Sequence, residues 1–128
     1  MSKFGCTCGH SIIDQRDNLP YKGHLIKDQD KEVIFEGIAS DVSLYIESLL
    51  TENQQEWLNR FPWLQGKDHR AVVWGIITQY YLKYIPHIYE CENCGRLWVQ
   101  ENAKSHNFRS YLPSNPEIKG ILRSDQLS

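Results

Sequence analysis

All four cysteines of this chain fall into two short pairs separated by more than eighty residues, Cys6-Thr7-Cys8-Gly9-His10 and Cys91-Glu92-Asn93-Cys94-Gly95. Two closely spaced cysteines can present two thiolates from one tight turn. The turn also aims backbone N–H groups at the sulfurs, which favours the deprotonated form. A glycine directly after each pair supplies the positive φ by which the chain leaves such a turn. Four thiolates gathered in this way suit one tetrahedral zinc ion. The predicted metal ligands are therefore Cys6, Cys8, Cys91 and Cys94, and a fold that satisfies them must bring the two ends of the chain together. Only one residue separates Cys6 from Cys8, so His10 is a candidate to replace Cys6 in a Cys₃His site.

The flanking residues favour strands. Lys3-Phe4 leads into the first turn and Ser11-Ile12-Ile13 leaves it; Ile88-Tyr89-Glu90 leads into the second and Arg96-Leu97-Trp98-Val99 leaves it. Each pair thus reads as the tip of a hairpin. Two hairpins clasping one metal resemble a zinc ribbon, here split into halves at 3–14 and 87–100. The resemblance implies a structural zinc. Two other uses of paired cysteines fit less well. Disulfides suit an oxidising compartment, and the N-terminal residues show no export signal. A redox Cys-x-x-Cys motif opens a helix, whereas Cys91 follows a strand-like run. A closed set of four thiolates leaves no position for a catalytic water.

The residues between the halves read as a helical insert of about 28–85. Residues 14–27 are expected to be irregular, with His24-Leu25-Ile26 as a short strand. From Asp28 to about Leu50, Ile34, Ile38, Val42, Tyr45, Ile46 and Leu49 recur at helical spacing. Asp28 and Asp30 are cap candidates, and Gly37 with Ser40-Asp41 is a candidate break. Thr51 is the expected cap of a second helix ending near Phe61. Asp68 is the expected cap of a third, His69 to about Tyr84, although its β-branched residues also allow a strand; Pro86 ends it. The last eight residues are expected to be loosely held. With 41% hydrophobic residues and 128 residues in all, the chain can build a core as a single α+β domain: a small zinc-bound β-hairpin unit with a helical insert between its knuckles.

Charge is unevenly placed. Residues 28–56 hold eight acids and only Lys31 as a base, so this segment carries −7 within a chain of net charge −2. Such a segment can be a solvated helix face or a docking surface for a basic partner. On the second reading Glu32, Glu36, Asp41 and Glu47 are the predicted contacts. Glycine-rich phosphate loops, G-x-S-x-G and H-E-x-x-H are absent, and the five histidines are scattered, so the chain reads as non-enzymatic, with no catalytic residues assigned. In size, charge layout and lack of catalytic signatures it resembles bacterial immunity proteins. That resemblance implies a cytoplasmic inhibitor of a basic toxin such as a nuclease. The alternative is a nucleic-acid-binding zinc ribbon that uses Arg96, Trp98, Lys104 and Arg109, with Phe108 and Tyr111 among them. No stretch is long and apolar enough to suggest a membrane span.

Overall fold

A computed structural model describes residues 3–125 and shows an α+β architecture with six strands and three helices. Two compact units divide the chain, one formed by residues 1–25 with 86–128 and the other by residues 26–85. The expectation for the C-terminal end falls in part on residues 126–128, outside the described residues.

In the first unit, β1 (Lys3–Gly5) and β2 (Ser11–Ile13) form an antiparallel hairpin with Phe4 opposite Ile12. Strands β3 (Lys22–His24), β4 (His87–Glu90), β5 (Leu97–Gln100) and β6 (Phe108–Tyr111) form an antiparallel sheet in that order. The two hairpins lie where the sequence places them. Strand β3 lies two residues earlier than expected, and β6 was not expected. Cys6, Ile12, Tyr89 and Cys91 are buried together, with Phe4, Tyr21, Cys94, Trp98 and Phe108 packed around them. Phe4 meets Tyr89 and Trp98 edge to face and stacks on Phe108 with centroids 5.3 Å apart. The single ring of Phe4 thus ties the small hairpin to the larger sheet.

The second unit contains α1 (Asp28–Leu50), α2 (Gln54–Asn59), a 3₁₀ turn (Pro62–Leu64) and α3 (His69–Tyr84). Its core is Tyr45, Trp57, Leu58, Leu64, Val72 and Ile76, with Ile38, Val42, Leu49, Phe61 and Tyr80 packed against it. The β-branched run of α3 is helical. Asp68 caps that helix as expected, its carboxylate accepting the Ala71 N–H at 2.8 Å.

Several expectations for α1 are corrected. Lys27 takes the N-cap position without a side-chain bond, while Asp28 and Asp30 lie in the first turn, where their charge still complements the helix dipole. The helix runs through Gly37 without a break. A Cβ there would lie 2.4 Å from the Tyr80 ring, so glycine lets α3 approach closely rather than ending the helix. Ile46, assigned to the apolar stripe, is 50% exposed. Thr51 ends α1 instead of starting α2: its N–H and hydroxyl both donate to the Glu47 carbonyl. Asn53 occupies the N-cap of α2.

Candidate metal centre

The first knuckle is closed by Cys6 N–H donating to the His10 carbonyl at 2.8 Å and Gly9 N–H donating to the Cys6 carbonyl at 3.0 Å. The second repeats the pattern, with Cys91 N–H to the Arg96 carbonyl at 2.9 Å and Gly95 N–H to the Cys91 carbonyl at 2.8 Å. Gly9 and Gly95 have φ of 97° and 79°, conformations that a Cβ disfavours. Hydrogen bonding within each turn therefore fixes the backbone that carries its two cysteines.

The two knuckles meet. Cys6 and Cys94 Sγ are 3.6 Å apart, as are Cys8 and Cys91 Sγ, and all four sulfurs lie within 4.8 Å of one another. A tetrahedral zinc with Zn–S bonds of about 2.3 Å would have S···S edges of about 3.8 Å, so the donor set and its spacing fit such an ion. All four cysteines are free. The 3.6 Å contacts are far longer than a disulfide bond of about 2.05 Å. His10 is not part of this cluster, which is Cys₄.

The surroundings tune the sulfurs unequally. Burial works against ionising Cys6, but the Cys8 backbone N–H, the Trp98 indole N–H at 3.4 Å and neighbouring thiols outweigh it, lowering its pKa from 9.0 to about 6. At exposed Cys8, the Asn93 side-chain amide at 3.3 Å leads the groups that lower the thiol pKa, followed by the His10 backbone. Burial pushes Cys91 up to about 12 despite the Cys94 and Asn93 backbone N–H groups. Without a cation the cluster therefore retains thiol protons, that of Cys91 above all. A divalent ion would displace them, which makes metal binding a proton-releasing step.

Trp98 and Phe108 pack in the core beneath the sulfurs. Arg96 donates to Ser110 Oγ at 3.1 Å, and its buried Nε has no partner among the described residues. Arg109 pairs with Glu101 at 3.3 Å, while Lys104 and Tyr111 are exposed. Of the six residues expected to form a nucleic-acid surface, Arg96, Trp98 and Phe108 are engaged within the β unit, while Lys104, Arg109 and Tyr111 are exposed.

At about 100° per residue, Glu32, Glu36 and Glu47 fall within a roughly 60° arc of α1, and all three are exposed. Asp41 lies about half a turn from Glu32. It is half-buried and accepts the Tyr80 hydroxyl hydrogen bond at 2.9 Å, so it braces α1 against α3. Phe35, 53% exposed, and Ile46 flank the acidic arc. The wheel position of Asp41 was available from spacing alone, but its tyrosine partner was not. Glu47 also lines a depression of about 400 Å³ with Leu44, Glu56, Trp57 and Arg60.

A family model described as a domain of unknown function (DUF8617) matches residues 2–115. The chain belongs to this family. The match spans both knuckles and all three helices, so the metal cluster and the insert lie within one family domain. No curated protein and no solved structure matches the chain. Among the described residues, no helix is long and apolar enough to cross a membrane.

Proposed function

We propose that the four cysteines hold one structural zinc and that the chain is a non-enzymatic interaction module. Its acidic α1 face docks a basic protein partner. The observation that carries this reading is the exposed arc of Glu32, Glu36 and Glu47, bordered by the exposed apolar side chains of Phe35 and Ile46. Carboxylates of one sign steer a basic partner, and apolar groups beside them supply desolvated contact area. The depression beside Glu47 and Glu56 offers two carboxylates and the apolar surface of Leu44 and Trp57 to a lysine or arginine, against the like charge of Arg60 on its wall. Asp41 leaves the docking set because Tyr80 holds it. The specific form of this proposal is an immunity-type inhibitor whose partner is a nuclease, a class whose basic substrate groove complements such a face. Zinc would brace the hairpins and take no part in chemistry.

The test is native co-purification with and without nuclease treatment, followed by affinity measurement on the recovered partner. A basic protein retained after nuclease treatment is expected, with binding that weakens as salt rises. Reversing Glu32 and Glu36 to lysine should weaken it further, mainly through the association rate. Unchanged affinity and salt dependence in that double variant would remove the acidic face from the reading. Loss of every partner on nuclease treatment would favour nucleic-acid binding.

A further inference from the structure

A second pair of metal-ligating side chains lies outside the cysteine cluster. His24 and His87 are direct cross-strand partners in the β3–β4 ladder. Their Nδ1 atoms are 3.3 Å apart, with ring centroids at 5.2 Å and planes at 67°. One proton between the two nitrogens makes a hydrogen bond. Moving that proton to an Nε2 leaves two converging lone pairs, an arrangement suited to a shared cation. With Zn–N bonds of about 2.0–2.1 Å, the tetrahedral N···N edge is about 3.3–3.4 Å, which matches the observed separation.

We propose that His24 and His87 form a second, two-histidine site for a borderline divalent transition metal such as zinc, with water completing its coordination. Antiparallel pairing fixes the two Cα positions. The His87 N–H also donates to Gln100 Oε1 at 2.8 Å, which holds the start of β4. His24 is exposed, giving an ion access from solvent. Burial, followed by the Lys22 ammonium, lowers the pKa of both rings, so neutral imidazoles are available near neutral pH. Asp14 opposes that shift at both rings, but Lys22 pairs with it at 2.6 Å and outweighs it, so the two nitrogen lone pairs rather than the surrounding charge would hold the ion. An ion held here would clip β3 to β4.

Zinc titration of the purified protein near neutral pH, followed through the imidazole ¹⁵N resonances and native mass spectrometry, tests this site. Once the thiolate cluster is filled, further zinc is expected to shift Nδ1 of His24 and His87 but not the nitrogens of His10, His69 or His106. A second bound ion should be seen in the mass spectrum. His24→Asn should abolish that second equivalent and leave the first in place. The site is refuted if excess zinc leaves the His24 and His87 resonances unmoved, or if His24→Asn binds the second ion as tightly as before. The wild-type resonances decide between these outcomes even if the variant folds poorly, and they respond separately from thiolate binding.

Discussion

The two units of this chain build their cores from different materials. In the β unit, two of the four fully packed residues, Cys6 and Cys91, are also sulfurs of the metal cluster. Its strands are three or four residues long, and short strands bury little apolar surface. The helical unit buries Tyr45, Trp57, Leu58, Leu64, Val72 and Ile76, none of them a ligand. One unit thus makes a thiol cluster suited to a metal part of its core, while the other relies on apolar packing. The comparison teaches that this chain has two sources of stability, thiol ligation with packing in one stretch of sequence and apolar burial alone in the other.

The largest expected effect breaks the comparison at its metal. Cys91→Ser removes a fully buried thiol from the cluster. Structural zinc sites contribute about 10–16 kcal/mol of apparent binding energy at neutral pH, comparable with the whole stability of a small domain. The variant should lose its zinc by elemental analysis. Hydrogen exchange should rise sharply in β1, β2, β4 and β5, with protection largely retained in α1 and α3. Equal loss of protection in both units would show that the metal supports the helices as well.

The next effect is aimed at the other core. Ile76 is completely buried on α3, and Ile76→Ala should cost about 2–5 kcal/mol through lost burial and the cavity left behind. Chemical unfolding of the helical signal should shift by that amount, while zinc stoichiometry stays at the wild-type value. A fall in zinc content would tie the two units together energetically.

A smaller change sharpens the comparison at a single hydrogen bond. Asp68→Ala removes the carboxylate that accepts the Ala71 N–H at the start of α3. It should cost about 1 kcal/mol, measured as a shift in the unfolding midpoint of the helical unit, with Asp68→Asn retaining most of the stability. An unchanged midpoint in the alanine variant would mean that water replaces the cap without loss.

The two units also differ in how plainly the sequence announces them. The knuckles are legible because chelation fixes local spacing: Cys-x-x-Cys-Gly encodes both ligand and turn. The pairing of distant knuckles follows from the chemistry of four thiolates. Strand β6 is hidden because Phe108-Arg109-Ser110-Tyr111 sits among polar residues. Its phenylalanine reveals its role only where the ring stacks on Phe4 from the other end of the chain. Strand β3 is hard to place because Lys22-Gly23-His24 has weak intrinsic strand preference; pairing with β4 and the Lys22–Asp14 ion pair at 2.6 Å fix it instead. In the insert, helical periodicity reveals the helices but not the partners of polar residues. Asp41 counts as surface charge until Tyr80 is seen to reach it, and Gly37 counts as a breaker until the same ring is seen to fill the space beside it.

The smallest predicted effect is a pH dependence confined to the β unit. His24 and His87 both have lowered pKa values, first through burial and then through Lys22; His87 is lowered further by His24, while Asp14 opposes the shift in each. Tyr89 and Lys22 both donate to Asp14, so its charge stays close to the pair. In the unfolded chain the two imidazoles return to about 6.5. Between that value and their lower folded values the unfolded state binds more protons, so stability falls as pH drops through this window. Above about 6.5 the contribution is fully present. The wild type and a His24→Asn/His87→Asn double variant should be compared with the thiolate cluster filled and no excess metal. Acid loss of zinc is common to both proteins and cancels in the difference. The gap between their unfolding midpoints should be constant above about 6.5 and should move in the variant's favour below it. A constant gap throughout the acid range would mean that folding does not hold the two imidazoles below their unfolded pKa, and that the β unit draws its pH sensitivity from other groups, such as the thiolates and Asp14.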